Sequence, residues 1–485
     1  MSLKQEAITG LKWTSMSTVI VAILQLTQLA ILARFLDPSA FGLMALVMVV
    51  IGFSQAFLDM GISNAIIHKQ EVTKDQLSTL YWVNIFAGLV LFFIIVLIAP
   101  FISEFYKEPE LTKLILIISL TFIIQPFGQQ FMVLWQKKLR FSEIARIDIV
   151  NKSISLVVSV YLAYKGYGVY AIVFGVLAGI VSQTIQFVFI GLKEYRPGFV
   201  FKIGEVREFL SFGAYQMGEK TINYFNYQID TILIGKLLGV EALGIYTVAK
   251  RIIMTPSQII NPIITKVTFP VMAKLQDDIP RLKNIYLKTI NYLSSVNFPI
   301  YVFIFIFAHD IVLIIFGEKW LEAVYIMKIL SIWGALRSTG NPVGSLLLAR
   351  GKANWGFWWN LGIFFYTPIG IYVGSYWGLE GISWALVFLS FPLGMVASWY
   401  FLVNNLCDAG FVEYHKEIFI PAVVAVISGV MVYLSTYYID TTLLKFIVAI
   451  FIGFLFFVGL NYILNKKLLI ELKKIISKDC GSITF

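Results

Sequence analysis

The chain has 485 residues, 59% of them hydrophobic and only 14% charged, with a mean hydropathy of +0.82 and a net charge of +10. A soluble domain carries roughly 25% charged residues, so this composition excludes an ordinary soluble enzyme or binding module and leaves a polytopic membrane protein. The positive charge is then read as membrane orientation, and nucleic acid is not an expected partner.

Apolar runs of the length that crosses a bilayer, about 20 residues, are expected near 12–35, 40–61, 77–99, 111–134, 143–164, 168–190, 209–238, 241–272, 287–316, 322–349, 354–376, 380–405, 416–438 and 443–465. The first, Trp13 to Phe35, is too long for a signal-peptide core and lacks a small-residue cleavage site after it, so it is read as a retained span. Loop Lys and Arg fall about three to one on alternate loops, which places both termini in the cytoplasm. Six cations, Lys152, Lys220, Lys250, Arg251, Lys266 and Arg337, lie within spans instead. Cys407 and Cys480 fall on cytoplasmic segments, where no disulfide is expected. The longest loop, Gly191 to Glu208, runs into Val206-Arg207-Glu208-Phe209-Leu210, the pattern of a short interfacial helix. The expected layout is a six-helix lobe over 1–192, a cytoplasmic linker over 193–208 and a second six-helix lobe over 209–405. Two further spans over 406–465 and a basic cytoplasmic tail over 466–485 complete it.

An internal repeat supports two halves. Ile31 to Leu43 aligns with Leu233 to Ile245 at a constant offset of 202, pairing Leu36 with Leu238, Ala40 with Ala242 and Gly42 with Gly244. Each copy follows an outward span, so the repeats are parallel, related by an axis along the membrane normal.

Polar residues inside hydrocarbon face a bundle interior or a water-filled cavity by default. Gln216, Glu219, Asn223, Asn226 and Asp230 are spaced 3, 4, 3 and 4, one face of a helix. Past a tight turn at Gly239 come Lys250 and Arg251, about as far from the turn as Asp230. This hairpin is read as one wall of a polar pathway. Arg337 leads a second stripe with Asn341 and Ser345, and Gln25 and Gln28 share a direction with Thr14 and Ser17. Asp148 and Lys152 are an i, i+4 pair, read as structural. His68, His309 and His415 have no metal-ligand spacing, and there is no phosphate-binding glycine loop. ATP-driven transport by this chain alone is therefore excluded.

The segment Leu32-Ala33-Arg34-Phe35-Leu36-Asp37-Pro38 leading into Phe41-Gly42-Leu43 resembles the first hairpin of Wzx-type polysaccharide flippases. So does Ile229-Asp230-Thr231-Ile232-Leu233-Ile234-Gly235-Lys236-Leu237-Leu238-Gly239 leading into Leu243-Gly244-Ile245-Tyr246, followed by Ala249-Lys250-Arg251 and Pro256. Leu347-Leu348-Ala349-Arg350-Gly351-Lys352 is similar to a further feature of the family. The family belongs to the multidrug/oligosaccharidyl-lipid/polysaccharide exporter superfamily, and the chain looks most like its colanic-acid and teichuronic-acid exporter branch. The resemblance implies an all-α, MATE-like membrane protein of about 14 transmembrane helices, two parallel six-helix lobes around a central cavity plus two C-terminal helices. It implies alternating access that moves a lipid-linked oligosaccharide across the bacterial inner membrane for lipopolysaccharide or exopolysaccharide biosynthesis. The sugar and diphosphate would pass through the cavity while the polyprenyl tail stays in lipid.

A diphosphate crossing hydrocarbon needs cations. Arg251, Lys250, Arg337, Asn341, Lys220, Gln28 and Asn223 are therefore the candidate substrate-binding residues. Against this, one of Lys250 and Arg251 simply neutralises Asp230, backbone carbonyls satisfy Arg337, and Gln28 serves helix packing. Glu219 and Asp230 are the candidate carriers for H+ or Na+ coupling, because a carboxylate in hydrocarbon can exchange a proton. No catalytic residue, metal or cofactor is expected. Membrane lipids, a polysaccharide polymerase and chain-length machinery are the expected partners. The rival readings are a drug antiporter or a peptidoglycan-precursor flippase of the same fold and, in another class, a membrane-bound polymerase or ligase. The last would need a large extracytoplasmic loop that is absent here.

Overall fold

Hydrocarbon offers no partner for backbone N–H and C=O groups, so apolar runs of this length satisfy them internally as helices. The computed structural model describes residues 3–58, 71–439 and 441–465, with 63, 66, 67 and 69 between the first two stretches. Among these residues there is no strand. The helices are α1 (Leu3–Phe35), α2 (Pro38–Leu58), α3 (Lys74–Tyr106), α4 (Glu110–Ser119), α5 (Thr121–Ile124), α6 (Pro126–Lys137), α7 (Phe141–Tyr164), α8 (Tyr170–Glu194) and α9 (Ile203–Leu237). After the Gly239 turn come α10 (Gly239–Lys274), α11 (Ile279–Ile306), α12 (Ala308–Ile315), α13 (Glu322–Ala349), α14 (Ala353–Ser375) and α15 (Gly378–Leu389). Two π-helical turns (Ser390–Ala397 and Trp399–Val403), α16 (Asn404–Cys407), α17 (Phe411–Thr436) and α18 (Thr442–Leu464) finish the chain. The tail, 466–485, lies outside the described residues.

Nine of the described helices are long and apolar enough to cross a bilayer, ten if the bent pair Glu110–Ile124 and Pro126–Lys137 is one span. The other four expected segments fall on α9, α10, α13 and α14. These are as long as the rest but less apolar: the first three carry the polar stripes and α14 mixes Asn and Gly among its aromatics.

Three features depart from the expected pattern. The fourth span is bent by 51° at Pro126, where proline supplies no N–H and crowds the preceding turn. The ninth breaks at Phe307, between α11 and α12. The segment 206–210 is not a separate interfacial helix. It is the start of α9, 35 residues long, and the non-helical linker shrinks to 195–202.

The described chain forms two compact units. Unit 1 contains Met1–Val248 with Ile315–Lys319 and Ile363–Pro368, and unit 2 contains Ala249–Ile314, Trp320–Gly362 and Ile369–Phe485. In unit 1, α7 lies between α1 and α8. The approach of α8 depends on small residues: a Cβ on Gly175 would sit 2.6 Å from the Ser159 Cβ, and one on Gly179 would sit 2.4 Å from Asn151 Oδ1. Close helix contacts in membranes are made this way because hydrophobicity alone does not pair helices there. The linker is strapped across the start of α3. Gly198 N donates to Ser78 Oγ (3.0 Å), Trp82 Nε1 donates to Gly198 O (2.9 Å) and Phe199 stacks on Trp82 at 4.8 Å. Lys202 pairs with Asp75 at 2.7 Å, and that carboxylate raises the ammonium above its usual lysine range.

In unit 2, α11 is central, with α13 and α17 packed on it, α18 on α17 and α15 on α13. Tyr286 and Tyr414 stack between α11 and α17 with ring centroids 6.4 Å apart. Lys445 pairs with Asp310 at 3.1 Å and ties α18 to α12.

Gly175→Leu drives a side chain into the backbone of α7, an overpacking that costs about 1–3 kcal/mol. The purified variant is expected to melt several degrees below wild type in detergent; an unchanged melting temperature would contradict the α7–α8 contact.

Candidate functional site

The polar residues singled out in the sequence have different fates. On α9, Tyr224 Oη donates to Val49 O of α2 at 2.8 Å, and a Cβ on Gly52 would meet that hydroxyl at 2.6 Å. This contact fixes the rotation of α9 and so the direction of its polar stripe. Asn223 is exposed, Asn226 is half-buried and Asp230 is only 5% exposed. The side chains of Glu219 and Lys220 lie outside the described residues, as does that of Asn341. Asp230 is held by its surroundings: Tyr246 Oη donates to Oδ2 at 2.6 Å and the Thr231 N–H donates to Oδ1 at 2.7 Å. The phenol partner could not be read from the stripe alone. It sits on the far limb of the hairpin, one turn past Leu243, at a position that looks like ordinary core.

Gln28 is 6% exposed and its Nε2 donates to Ser159 Oγ at 2.8 Å. The amide is thus engaged by α7, an arrangement that supports the packing reading of this residue. Asp148 Oδ1 accepts from Gln183 Nε2 at 3.0 Å, a bond between α7 and α8 in keeping with a structural role. Arg146 lies over the Trp13 ring at 5.3 Å.

Of the cations expected within spans, Lys250, Arg251, Lys266 and Arg337 sit on two neighbouring helices of unit 2, α10 and α13. A Cβ on Gly334 would stand 2.5 Å from the Ile253 side chain, and Asn261 Nδ2 donates to Ser338 O at 3.0 Å. Both contacts rise in residue number together, so the helices run parallel. Arg251 precedes Ile253 by two residues and Arg337 follows Gly334 by three. At 1.5 Å rise per residue they lie within about 8 Å of one another along the helix axes. Both are exposed, while Lys250 is 8% exposed. The Arg337 guanidinium is over the Trp333 ring at 5.2 Å, a geometry that holds a cation without cancelling its charge. Beneath them a buried amide network links three helices: Asn297 Nδ2 of α11 donates to Asn261 Oδ1 at 3.0 Å.

Unit 2 also has a groove of about 700 Å³ between α11, α13 and α17. Val302, Phe305, Leu336, Ala422 and Val426 line it, with Lys328 and His415 as its basic side chains. No sequence signal marks it, because helices that are apolar all round show no preferred face.

Among the described residues no group of three or more His, Cys, Asp or Glu could hold a metal.

If Gln28 serves packing, Gln28→Leu is expected to lower thermal stability by about 1 kcal/mol while export persists. Lost export with unchanged stability would return it to the substrate pathway.

The comparisons fit this geometry. Residues 31–325 match the family described as polysaccharide biosynthesis protein. The chain is 32% identical over 422 residues to the lipopolysaccharide biosynthesis protein WzxC of Escherichia coli (strain K12), covering 87% of this chain and 86% of that protein. It is 33% identical over 436 residues to the teichuronic acid biosynthesis protein TuaB of Bacillus subtilis (strain 168), with 89% of each covered. Among solved structures it superposes on the lipid II flippase MurJ in an inward closed conformation, with a TM-score of 0.76 at 14% identity, over 94% of this chain and 99% of that one. A multidrug MATE family transporter in an inward-facing conformation follows, with a TM-score of 0.59 at 14% identity, over 88% and 100%.

Proposed function

Because the chain belongs to the polysaccharide biosynthesis protein family, as a Wzx-type flippase, we propose that it carries a polyprenyl-diphosphate-linked oligosaccharide across the cytoplasmic membrane for assembly of a surface polysaccharide. The observation that carries this reading is the placement of Arg251 and Arg337, exposed on neighbouring parallel helices of unit 2. A guanidinium facing lipid is costly, so exposed cations at membrane depth border a water-filled path. Two of them within about 8 Å along the helix axes match an anion carrying more than one charge, and guanidinium binds phosphate oxygens bidentately. Lys250 adds charge behind them, and Asn223, Lys220 and Asn341 complete the substrate-binding set. A drug antiporter has no use for a cationic surplus.

The groove between α11, α13 and α17 suits the polyprenyl chain. Its lining is almost wholly apolar and about 700 Å³ holds several isoprene units. The headgroup would thus travel the polar path beside α10 and α13 while the tail slides along the other side of α13. Glu219 and Asp230 are the groups we assign to H+ or Na+ coupling. The two six-helix lobes, 1–192 and 209–405, would alternate access, with both termini in the cytoplasm. Polymerase and chain-length machinery would receive the flipped unit.

In a strain lacking the gene, mass spectrometry of lipid extracts is expected to show a complete polyprenyl-diphosphate repeat unit accumulating as surface polymer disappears. Arg251→Ala and Arg337→Ala should leave that accumulation in place although the protein reaches the membrane. Wild-type export by both variants would sink the cationic path. Ala422→Trp, which fills the groove, should slow export at least tenfold with the protein still folded. Unimpaired export by that variant would remove the tail from the groove.

A further inference from the structure

The last helix meets α11 at two places of opposite character. At one, Phe446 of α18 packs on Phe303 and Phe307, with ring centroids 5.9 and 5.4 Å apart. At the other the side chains are polar. Asn461, in the final turn of α18, and Asn465, which caps it, face Asn291 and Ser295 of α11. Each pair is spaced i, i+4, so its two groups share one helix face. All four residues are buried, none more than 7% exposed. Asn465 Nδ2 lies 3.2 Å from Asn291 Oδ1, 3.2 Å from Asn461 Oδ1 and 3.4 Å from Ser295 Oγ. A side-chain amide nitrogen has only two N–H donors, so three oxygens converge on a group that can satisfy two. Their neighbours hold the oxygens in that direction. Asn461 Nδ2 donates to the Phe457 carbonyl at 2.9 Å, and Asn291 Nδ2 donates to Glu417 Oε2 of α17 at 2.8 Å. Each bond turns the Oδ1 of the same amide towards the common centre. Pro299 has no N–H to give the Ser295 carbonyl, so that turn of α11 carries a further oxygen without its usual helical donor. The C-terminal end of a helix also favours positive charge, and the cluster sits at that end of α18.

We propose that this cluster is a binding site for an alkali-metal cation, Na+ or K+, which takes the central place of the Asn465 amide nitrogen. Turning that amide over about its terminal torsion brings its own Oδ1 inward. The cation then meets four side-chain oxygens, from Asn291, Ser295, Asn461 and Asn465. The donor set fits this class of ion. Amide and hydroxyl oxygens are hard ligands, without the thiolate or imidazole that suits transition metals. The carboxylate of Glu417 stands behind Asn291 and contributes negative charge from there, whereas Ca2+ sites place carboxylates on the ion itself. Once bound, the ion joins α11 to α18, and Glu417 extends the joint to α17, so ion occupancy sets how firmly the C-terminal helix is held. All five residues belong to unit 2, and Asp230 belongs to unit 1. The site is therefore distinct from the coupling group assigned above and stands whatever the protein carries.

The test is the thermal melting of the purified full-length protein in detergent, at constant ionic strength, in NaCl, KCl or choline chloride. Wild type should melt several degrees higher in NaCl or KCl than in choline chloride, with an increment that grows as the alkali salt replaces choline. Ser295→Ala and Asn461→Ala should each lose most of that increment, whatever they do to the melting temperature in choline. Asn465→Asp puts a carboxylate in the cage in place of the amide. It should reach half its increment at a salt concentration about tenfold lower, since a full charge now faces the ion. Asp230→Asn should keep the wild-type increment. Equal melting of wild type in all three salts overturns the proposal, and so does an increment that survives both Ser295→Ala and Asn461→Ala. An increment abolished by Asp230→Asn places the ion at the coupling group and overturns it as well. Melting needs no cargo, so its outcome is separable from the lipid accumulation that tests transport.

Discussion

A polar group stripped of water inside hydrocarbon costs several kcal/mol unless it finds a partner, and that cost orders this molecule at every scale. It makes every described span helical. It also sorts the polar side chains into two kinds. Gln28, Asp148, Asn261 and Asn297 find partners on neighbouring helices and become the joints between them. Arg251, Arg337 and Asn223, beside whatever partners they have, remain exposed on their helices. In a membrane protein the second kind is the informative one, since exposure at that depth is tolerable only beside water.

The joints depend in turn on glycine. Lipid tails are as apolar as leucine, so two membrane helices gain little by hiding apolar surface from it. What holds α7 to α8 is how closely the backbones approach, and α10 meets α13 through Ile253 against Gly334 and the Asn261–Ser338 hydrogen bond. Gly175, Gly179 and Gly334 each sit where a side chain would strike a neighbour. The same device appears at the turns of the repeat, where the atoms opposite Gly42 and Gly244 are the carbonyls of Val240 and Pro38 and buried side chains such as Leu43, Leu46, Leu243 and Tyr246 pack around them.

Much of this was legible in the sequence, and the residues explain which parts were. Span positions follow from hydropathy, a property summed over about 20 residues and so insensitive to local detail. Turn glycines such as Gly239, with φ +86°, were equally plain. The bend at Pro126, the break at Phe307 and the π-helical turns of 390–403 were not, because each leaves the window average unchanged. For the candidate site, a spacing of 3 and 4 located the face of α9 but could not say how deep each residue sits. Asn223 and Asp230 share that face, yet one is exposed and the other is bound by Tyr246. Gln28 followed the same pattern with a different outcome. A sequence stripe cannot separate a path from a joint, since both need polar atoms on one face.

The groove and the cations share unit 2, and α13 borders both: Arg337 belongs to one set and Lys328, Ser331 and Leu336 to the other. A lipid-linked sugar presents its carrier with two incompatible parts, an anion that must never meet hydrocarbon and a chain that must never leave it. A helix whose two faces differ in this way can keep hold of both at once. The diphosphate is the atom group that joins the two parts, so the carrier must grip it where the polar face turns into the apolar one. Trp333 stands at that edge, one turn from Arg337 and buried at 4% exposure. An indole there supports the guanidinium on its ring face and seals the apolar side behind it. Under the proposed reading, a flippase would thereby gain a fixed cation at the boundary between its polar face and the apolar groove.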